Sequence, residues 1–429
     1  MSEAAAPNRV GSRPFPDDLL ARIRDRFWHT DHCPITDRPR IFFENGGGSL
    51  KLKTAVARSA EIAAIPDQDQ RDNDASRFLT GLIDRGRADL GAYFGAEDGQ
   101  IISGETGTEL LYKFIRAVAL GAPPGPVVSS ELEHPASLDA ARQWAERTGR
   151  SWIAVPFDPL SGTVEPAGYG RAVTPDTRLA TVIHTGQLTG MRVDLAAICA
   201  AIRAAAPDCF IVVDGIQQAP HGLISVAEYG ADAYVFSPYK AYSRLAAGFA
   251  WVGPRLTALP HEHMLGRSPD RWELGSRDIA MFASQSMVND YLRWLGRAVG
   301  GGGGARPELT AAARAMAGQE AHLLDLLLNG GPGRRGLLAR PDVAVIGEPG
   351  IARRAGIVSF TWRGLASADL VRHLATRDIR VHARIRDAYS GHILDALGLP
   401  DCVRVSLCHY NSADEVLALL AALDEIEGA

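Results

Sequence analysis

Residues 209–240 read CFIVVDGIQQAPHGLISVAEYGADAYVFSPYK, and two apolar runs within them, CFIVVDG (209–215) and AYVFSP (233–238), each end on polar residues. Short runs of this kind, rich in β-branched residues, suit strands buried on both faces of a parallel sheet. Asp214 and Gln217 follow the first run; Ser237 and Lys240 follow the second. A lysine past a strand end is ordinarily a solvated side chain. Here a carboxylate, an amide and a hydroxyl arrive with it at successive strand ends. In open α/β sheets, ligands bind beyond the carboxyl ends of the strands.

The pattern continues outward. PVVSSE (126–131), WIAVPF (152–157), LATVIHT (179–185) and FAWVG (249–253) read as further strands, with helical stretches such as SLDAARQWAERTG (137–149) and DLAAICAAIRAAAP (194–207) between them. Alternating strands and helices predict an α/β domain with a mostly parallel central sheet flanked by helices. His134 stands past the first of these strands and Gln187 past the third, while ISGETGTELL sets Gly107 and Thr108 at a helix start, whose free N–H groups suit an anion. The run GGGGG (300–304) predicts a flexible connection. Beyond it, a helix over 308–329, the strands VAVIGE, GIVSFTW, IRVHAR and VRVSL, a helix near 366–376 and a last one near 412–426 predict a smaller α+β lobe. The expected division is 1–49 as a segment joining the small lobe, 50–299 as the large domain, 300–304 as linker and 305–429 as the small C-terminal domain. In VRVSL the apolar residues at 403, 405 and 407 alternate with Arg404, so Arg404 faces away from the small lobe's apolar side.

Composition narrows the class. A net charge of -5 with 22% charged residues gives no basic surface for nucleic acid, and no apolar run of about 18 residues predicts a membrane span. Five scattered cysteines include no CxxC pair and no metal-finger spacing, so neither a metal site nor a disulfide framework is expected, and a reducing cytoplasm fits.

An amine, a carboxylate, an imidazole, two amides and an anion site at neighbouring strand ends are what pyridoxal phosphate chemistry uses. The lysine takes the cofactor aldehyde, the carboxylate keeps the pyridine nitrogen protonated, and the charged ring becomes an electron sink. The Asp-x-x-Gln and Ser-x-x-Lys pairs at 214–217 and 237–240 resemble the class V aminotransferase family of fold type I, especially its cysteine desulfurase-like branch. The resemblance runs through most of the chain. FFENGGGS (42–49) resembles the entry strand, with Asn45 beside the substrate; SSELEHPAS resembles the segment carrying the ring-stacking histidine, His134; HTGQLTG carries Gln187 where that family has asparagine. Tyr239 stands in place of the common histidine before the lysine. RWELGSRDIA (271–280) resembles the loop that reaches the neighbouring subunit's phosphate, here through Gly275 and Ser276, and VRVSLCHYN gives Arg404 the substrate carboxylate. The resemblance thus implies a homodimer with catalytic Lys240, Asp214 and His134, acting on a small-molecule amino-acid substrate.

One element of that branch is missing. Its desulfurases carry a nucleophilic cysteine in the segment that corresponds to IRVHARIRDAYSGHIL (379–394), and this segment has none. It offers Arg384, Arg386, Tyr389 and His392 instead, with the two arginines as candidates for binding substrate. The resulting expectation is a C–S lyase performing β-elimination on a cysteine S-conjugate, with an aminotransferase, an epimerase, a decarboxylating deaminase or a desulfurase using another cysteine as alternatives.

Overall fold

The computed structural model describes residues 14–427. After a first helix (Asp17–Arg24), the two-residue strand β1 (Ile41–Phe42) leads into the large domain. That domain holds β2 (Gln100–Gly104), β3 (Val127–Ser130), β4 (Trp152–Val155), β5 (Leu179–Ile183), β6 (Phe210–Asp214), β7 (Ala233–Phe236) and β8 (Gly248–Val252). They form one seven-stranded sheet in the order β2-β8-β7-β6-β5-β3-β4, in which only β8 runs against the rest. β5, β6, β7 and β8 are buried along their whole length, as their near-continuous apolar sequences require. β2 escaped the sequence reading because it is an edge strand with little more than two isoleucines to bury.

In the C-terminal part, the short hairpin β9 (Gly330–Gly331) and β10 (Arg334–Arg335) precedes β11 (Val343–Val345), β12 (Ile357–Trp362), β13 (Ile379–Arg380), β14 (His382–Ile385) and β15 (Asp401–Ser406). An antiparallel sheet β11-β12-β15-β14 makes the small lobe. β1 pairs in parallel with β13, Ile41 opposite Ile379, so the N-terminal segment is tied to this lobe. The stretch 379–394 is therefore not one loop: it is two strands, a turn and the start of a helix (Gly391–Ala396).

The glycine run differs from its expectation. Helix Ile279–Ala298 packs against helix Ala305–Asn329, and the five glycines form the tight turn between them, with Gly300, Gly303 and Gly304 at positive φ. A Cβ on Gly296 would lie 2.0 Å from the Glu308 carbonyl, and Arg293 and Arg297 both pair with the Glu308 carboxylate. Helix Ala305–Asn329 then contributes Leu309, Ala312 and Met316 to the large domain's core and Leu323, Leu324, Leu327 and Leu328 to that of the small lobe. The join between lobes lies inside this rigid helix rather than at the glycines.

Candidate functional site

The carboxyl ends of β3, β5, β6 and β7 are neighbours in the sheet and deliver His134, Gln187, Asp214 and Lys240 to one place. Lys240 closes a single 3₁₀ turn (Pro238–Lys240) after β7. Its Nζ donates to the Gly46 carbonyl (3.0 Å) and to Gln217 Oε1 (2.8 Å). Burial, helped by the cations of Arg404 and Arg384, draws this amine down to about 7, so near neutrality much of it is an unprotonated nucleophile. The turn is held from outside: Lys51 Nζ and Ser49 Oγ both donate to the Tyr239 carbonyl, at 2.5 and 3.2 Å. Tyr242, two residues on, sits at φ 69°, a left-handed conformation costly for a bulky residue and often found beside functional groups.

Asp214 ends β6, accepts the Ile216 N–H at 2.9 Å and is 3% exposed. Burial pushes its carboxyl up to about 6. Gln217 spends its oxygen on Lys240, while its Nε2 is buried with no hydrogen-bond partner, a donor aimed at nothing the protein supplies. Ser237 Oγ accepts the Gly107 N–H at 3.2 Å, joining the end of β7 to the start of helix Gly107–Gly121. A Cβ on Gly107 would come within 2.5 Å of that hydroxyl, so only glycine allows the approach. Thr106, which the sequence reading passed over, caps the helix by accepting the Glu109 N–H, leaving Thr108 exposed at the anion-seeking end.

His134 is itself the N-cap of helix Pro135–Arg147, its Nδ1 accepting the Ala136 N–H. Burial pushes its pKa down to about 3, leaving a neutral ring able to stack, and Tyr389 from the small lobe lies 5.8 Å from it, centroid to centroid. Glu133, not foreseen, holds this turn: its buried carboxyl accepts the Ile183 N–H (2.6 Å) and lies within hydrogen-bond reach of Ser137 Oγ (2.5 Å) and Ser130 Oγ (3.2 Å), and burial pushes it up to about 8.

The small lobe and the N-terminal turn cover the other side. Arg404, on β15, faces away from its own lobe's core, as its alternation implied, but it is buried rather than solvated because the large domain covers it. Its Nη1 donates to the Gln187 carbonyl at 3.0 Å; its Nε has no partner, and Gly46 packs on the guanidinium. Gln187 Nε2 donates to the Tyr389 carbonyl at 2.7 Å. Tyr239 lies half-buried, its ring against Gly48 and 5.9 Å from Lys240 Nζ.

Four expected residues lie outside the Lys240 cluster. Asn45 is consumed in joining segments: its amide donates to the Ser406 carbonyl and its oxygen accepts from Tyr410, so its side chain has nothing left for a substrate. Arg386 lies past the end of β14 and pairs with Asp395 at the surface, 2.9 Å away. Gly275 and Ser276 are exposed and line a cleft of about 360 Å³ with Gln68, Arg71 and Arg271; neither forms a hydrogen bond with the Lys240 cluster.

The donor set fits pyridoxal phosphate: a low-pKa amine, a buried acid, an orphaned amide N–H, a neutral imidazole and a helix N-terminus that only glycine permits. Comparison with known proteins agrees. The class V aminotransferase profile matches residues 45–280 and 331–419. The chain is 27% identical to the aminotransferase-like protein FGM3 of Gibberella zeae, over 95% of this chain and 98% of that protein. It is 29% identical to a probable cysteine desulfurase of Pseudomonas putida (70% and 71% covered) and 26% identical to the cysteine desulfurase-like protein ustD of Aspergillus flavus (92% and 89%). The fold superimposes on the cysteine desulfurase of Thermococcus onnurineus with a TM-score of 0.77 at 19% identity, covering 98% of this chain and all of that one. The chain belongs to the class V aminotransferase family, and so to the pyridoxal phosphate enzymes of fold type I related to the cysteine desulfurases.

Proposed function

We propose that this enzyme is a C–S lyase that eliminates the thiolate from a cysteine S-conjugate. The observation that carries this reading is a complete cofactor set beside a 379–394 segment without a thiol. The cysteines nearest Arg404 do not replace it: Cys402 and Cys408 are buried, burial pushes the Cys402 thiol up to about 12, and Cys408 packs against Tyr242 and His409. Thiolate, not thiol, attacks sulfur, so both are poor nucleophiles.

Lys240 would hold the cofactor aldehyde, Asp214 the ring nitrogen, Gln217 the ring hydroxyl and His134 the ring face. Ser237, Tyr239 and the Gly107–Thr108 N–H groups would hold the phosphate. Gly275 and Ser276 would reach that of a partner subunit, a role supported by exposed Met264, Leu265 and Leu274 on the same segment. When bound, the cofactor supplies a sink for the electron pair left at the α-carbon. Arg404 meets the substrate carboxylate with its free Nε while Nη1 stays anchored on Gln187. Lys240, its amine drawn down by burial, takes the α-proton. The C–S bond breaks with its pair on sulfur, the thiolate leaves, and hydrolysis of the resulting enamine gives pyruvate and ammonia.

The test is incubation of the cofactor-loaded enzyme with S-substituted cysteines, measuring thiol and pyruvate. Equal release of both supports elimination. Conversion of the cofactor to its amine form without pyruvate identifies an aminotransferase instead, and alanine with sulfide from free cysteine identifies a desulfurase.

A further inference from the structure

The site carries more positive charge than an amino acid's single carboxylate can answer. β14 and β15 run antiparallel with His382 opposite Arg404, and side chains alternate along a strand, so Arg384, two residues past His382, shares the face of Arg404 that meets the large domain. Diagonal neighbours of this kind stand about 7–8 Å apart at their Cα atoms, close enough for long side chains to converge on one ligand. Arg384 is held by a hydrogen bond from Nη2 to Ser390 Oγ, and its Nε is buried without a partner, as is that of Arg404. Among the described residues, neither arginine makes an ion pair; Glu44, near Arg404, is engaged with His382 and Arg380, and Asp387, near Arg384, accepts the N–H groups of Tyr389 and Ser390. Asp214 lies at the far end, beside Lys240's strand turn. Unpaired buried guanidinium nitrogens are costly, and a planar fork of donors fits a carboxylate or similar oxyanion.

We infer that the substrate is doubly acidic: Arg404 takes the α-carboxylate and Arg384 a second oxyanion carried on the side chain, here on the sulfur substituent. The inference rests on the C–S lyase reading for its leaving group, but not for its charge. Spacing favours an acidic group a few bonds beyond the β-carbon, as in an S-carboxyalkyl cysteine. Ser390 orients Arg384, and Tyr389, whose carbonyl is fixed by Gln187, borders the same space.

The test uses ligands that lack an amine and so cannot react. 3-(Carboxymethylthio)propanoate and its mono-amide at the carboxymethyl end are titrated calorimetrically into the cofactor-loaded enzyme. The diacid is expected to bind at least tenfold more tightly than the amide. Arg384→Gln should reduce that ratio to about twofold or less, Arg384→Lys should keep part of it, and the surface control Arg386→Gln should leave it unchanged. Equal affinity of diacid and amide for the unaltered enzyme overturns the inference whatever the variants do, as does a ratio that survives Arg384→Gln. Failure of the lyase reading looks different: the diacid preference persists while S-carboxymethylcysteine yields no pyruvate.

Discussion

The two sides of the cleft are built on different physics. On the large-domain side, Lys240, Asp214, Gln217 and Ser237 hang from strand ends buried in a seven-stranded sheet; Lys240, Gln217 and Ser237 are fixed by partners from adjacent elements and Asp214 by the N–H of Ile216, two residues on. On the small-lobe side, Arg384 comes from an edge strand, and the turn that follows it, 386–389, is exposed. The first surface has almost no freedom to vary, because a one-residue change in any strand moves a functional group off the ring. The second lies on an edge strand and an exposed turn, where a side chain can change without disturbing the core. In the proposed reading, cofactor chemistry belongs to the sheet and choice of substrate to the edge.

Breaking the sheet side should cost most. Lys240→Ala should lower turnover by about 10⁴-fold, since in the proposed mechanism it removes both the covalent anchor and the proton acceptor, and the cofactor's absorbance should lose its lysine-linked band. Asp214→Asn should follow at about 10²–10³-fold in kcat, the cost of losing one electrostatic partner of the developing charge. On the small-lobe side, Arg404→Gln should act mainly on binding and lower kcat/KM by about 10–100-fold, matching the worth of a charge-assisted hydrogen bond.

A pH profile joins the two regions. Below about 7, Lys240 gains a proton and loses its nucleophilic pair, so the rate of cofactor capture by the apoenzyme should fall about tenfold per pH unit there and level off above. Arg404 and Arg384 both hold that value down; replacing either with glutamine should move the break to higher pH, even though neither touches the lysine. The smallest expected effect concerns Cys33, whose half-exposed thiol is drawn down to about 7 by hydrogen bonds from Thr36 and the backbone. Cys33→Ser should change pyruvate release by less than about twofold; its abolition would make this thiol a participant.

The strand-end groups were legible because a buried parallel strand announces itself as a short apolar run, and the polar residue that follows must lie at the sheet's edge. Asn45 and Arg386 were misjudged for the opposite reason. Their neighbours in sequence say nothing of Tyr410 and Ser406, which claim the asparagine, or of Asp395, which draws the arginine outward. Glu133 and Lys51 were passed over because an isolated acid or lysine in a loop carries no pattern; only burial marks them.

By itself the sequence determined the doubly covered sheet, the spacing that brings an amine, an acid and an amide to its carboxyl end, and the absence of a thiol from 379–394. These follow from local periodicity and residue chemistry. Only the tertiary structure decided that Arg404 and Arg384 share one face with unpaired nitrogens, that the five glycines are a turn between packed helices, and that Cys402 and Cys408 are sealed away. Those facts depend on which distant segments meet, and on how much water is left between them.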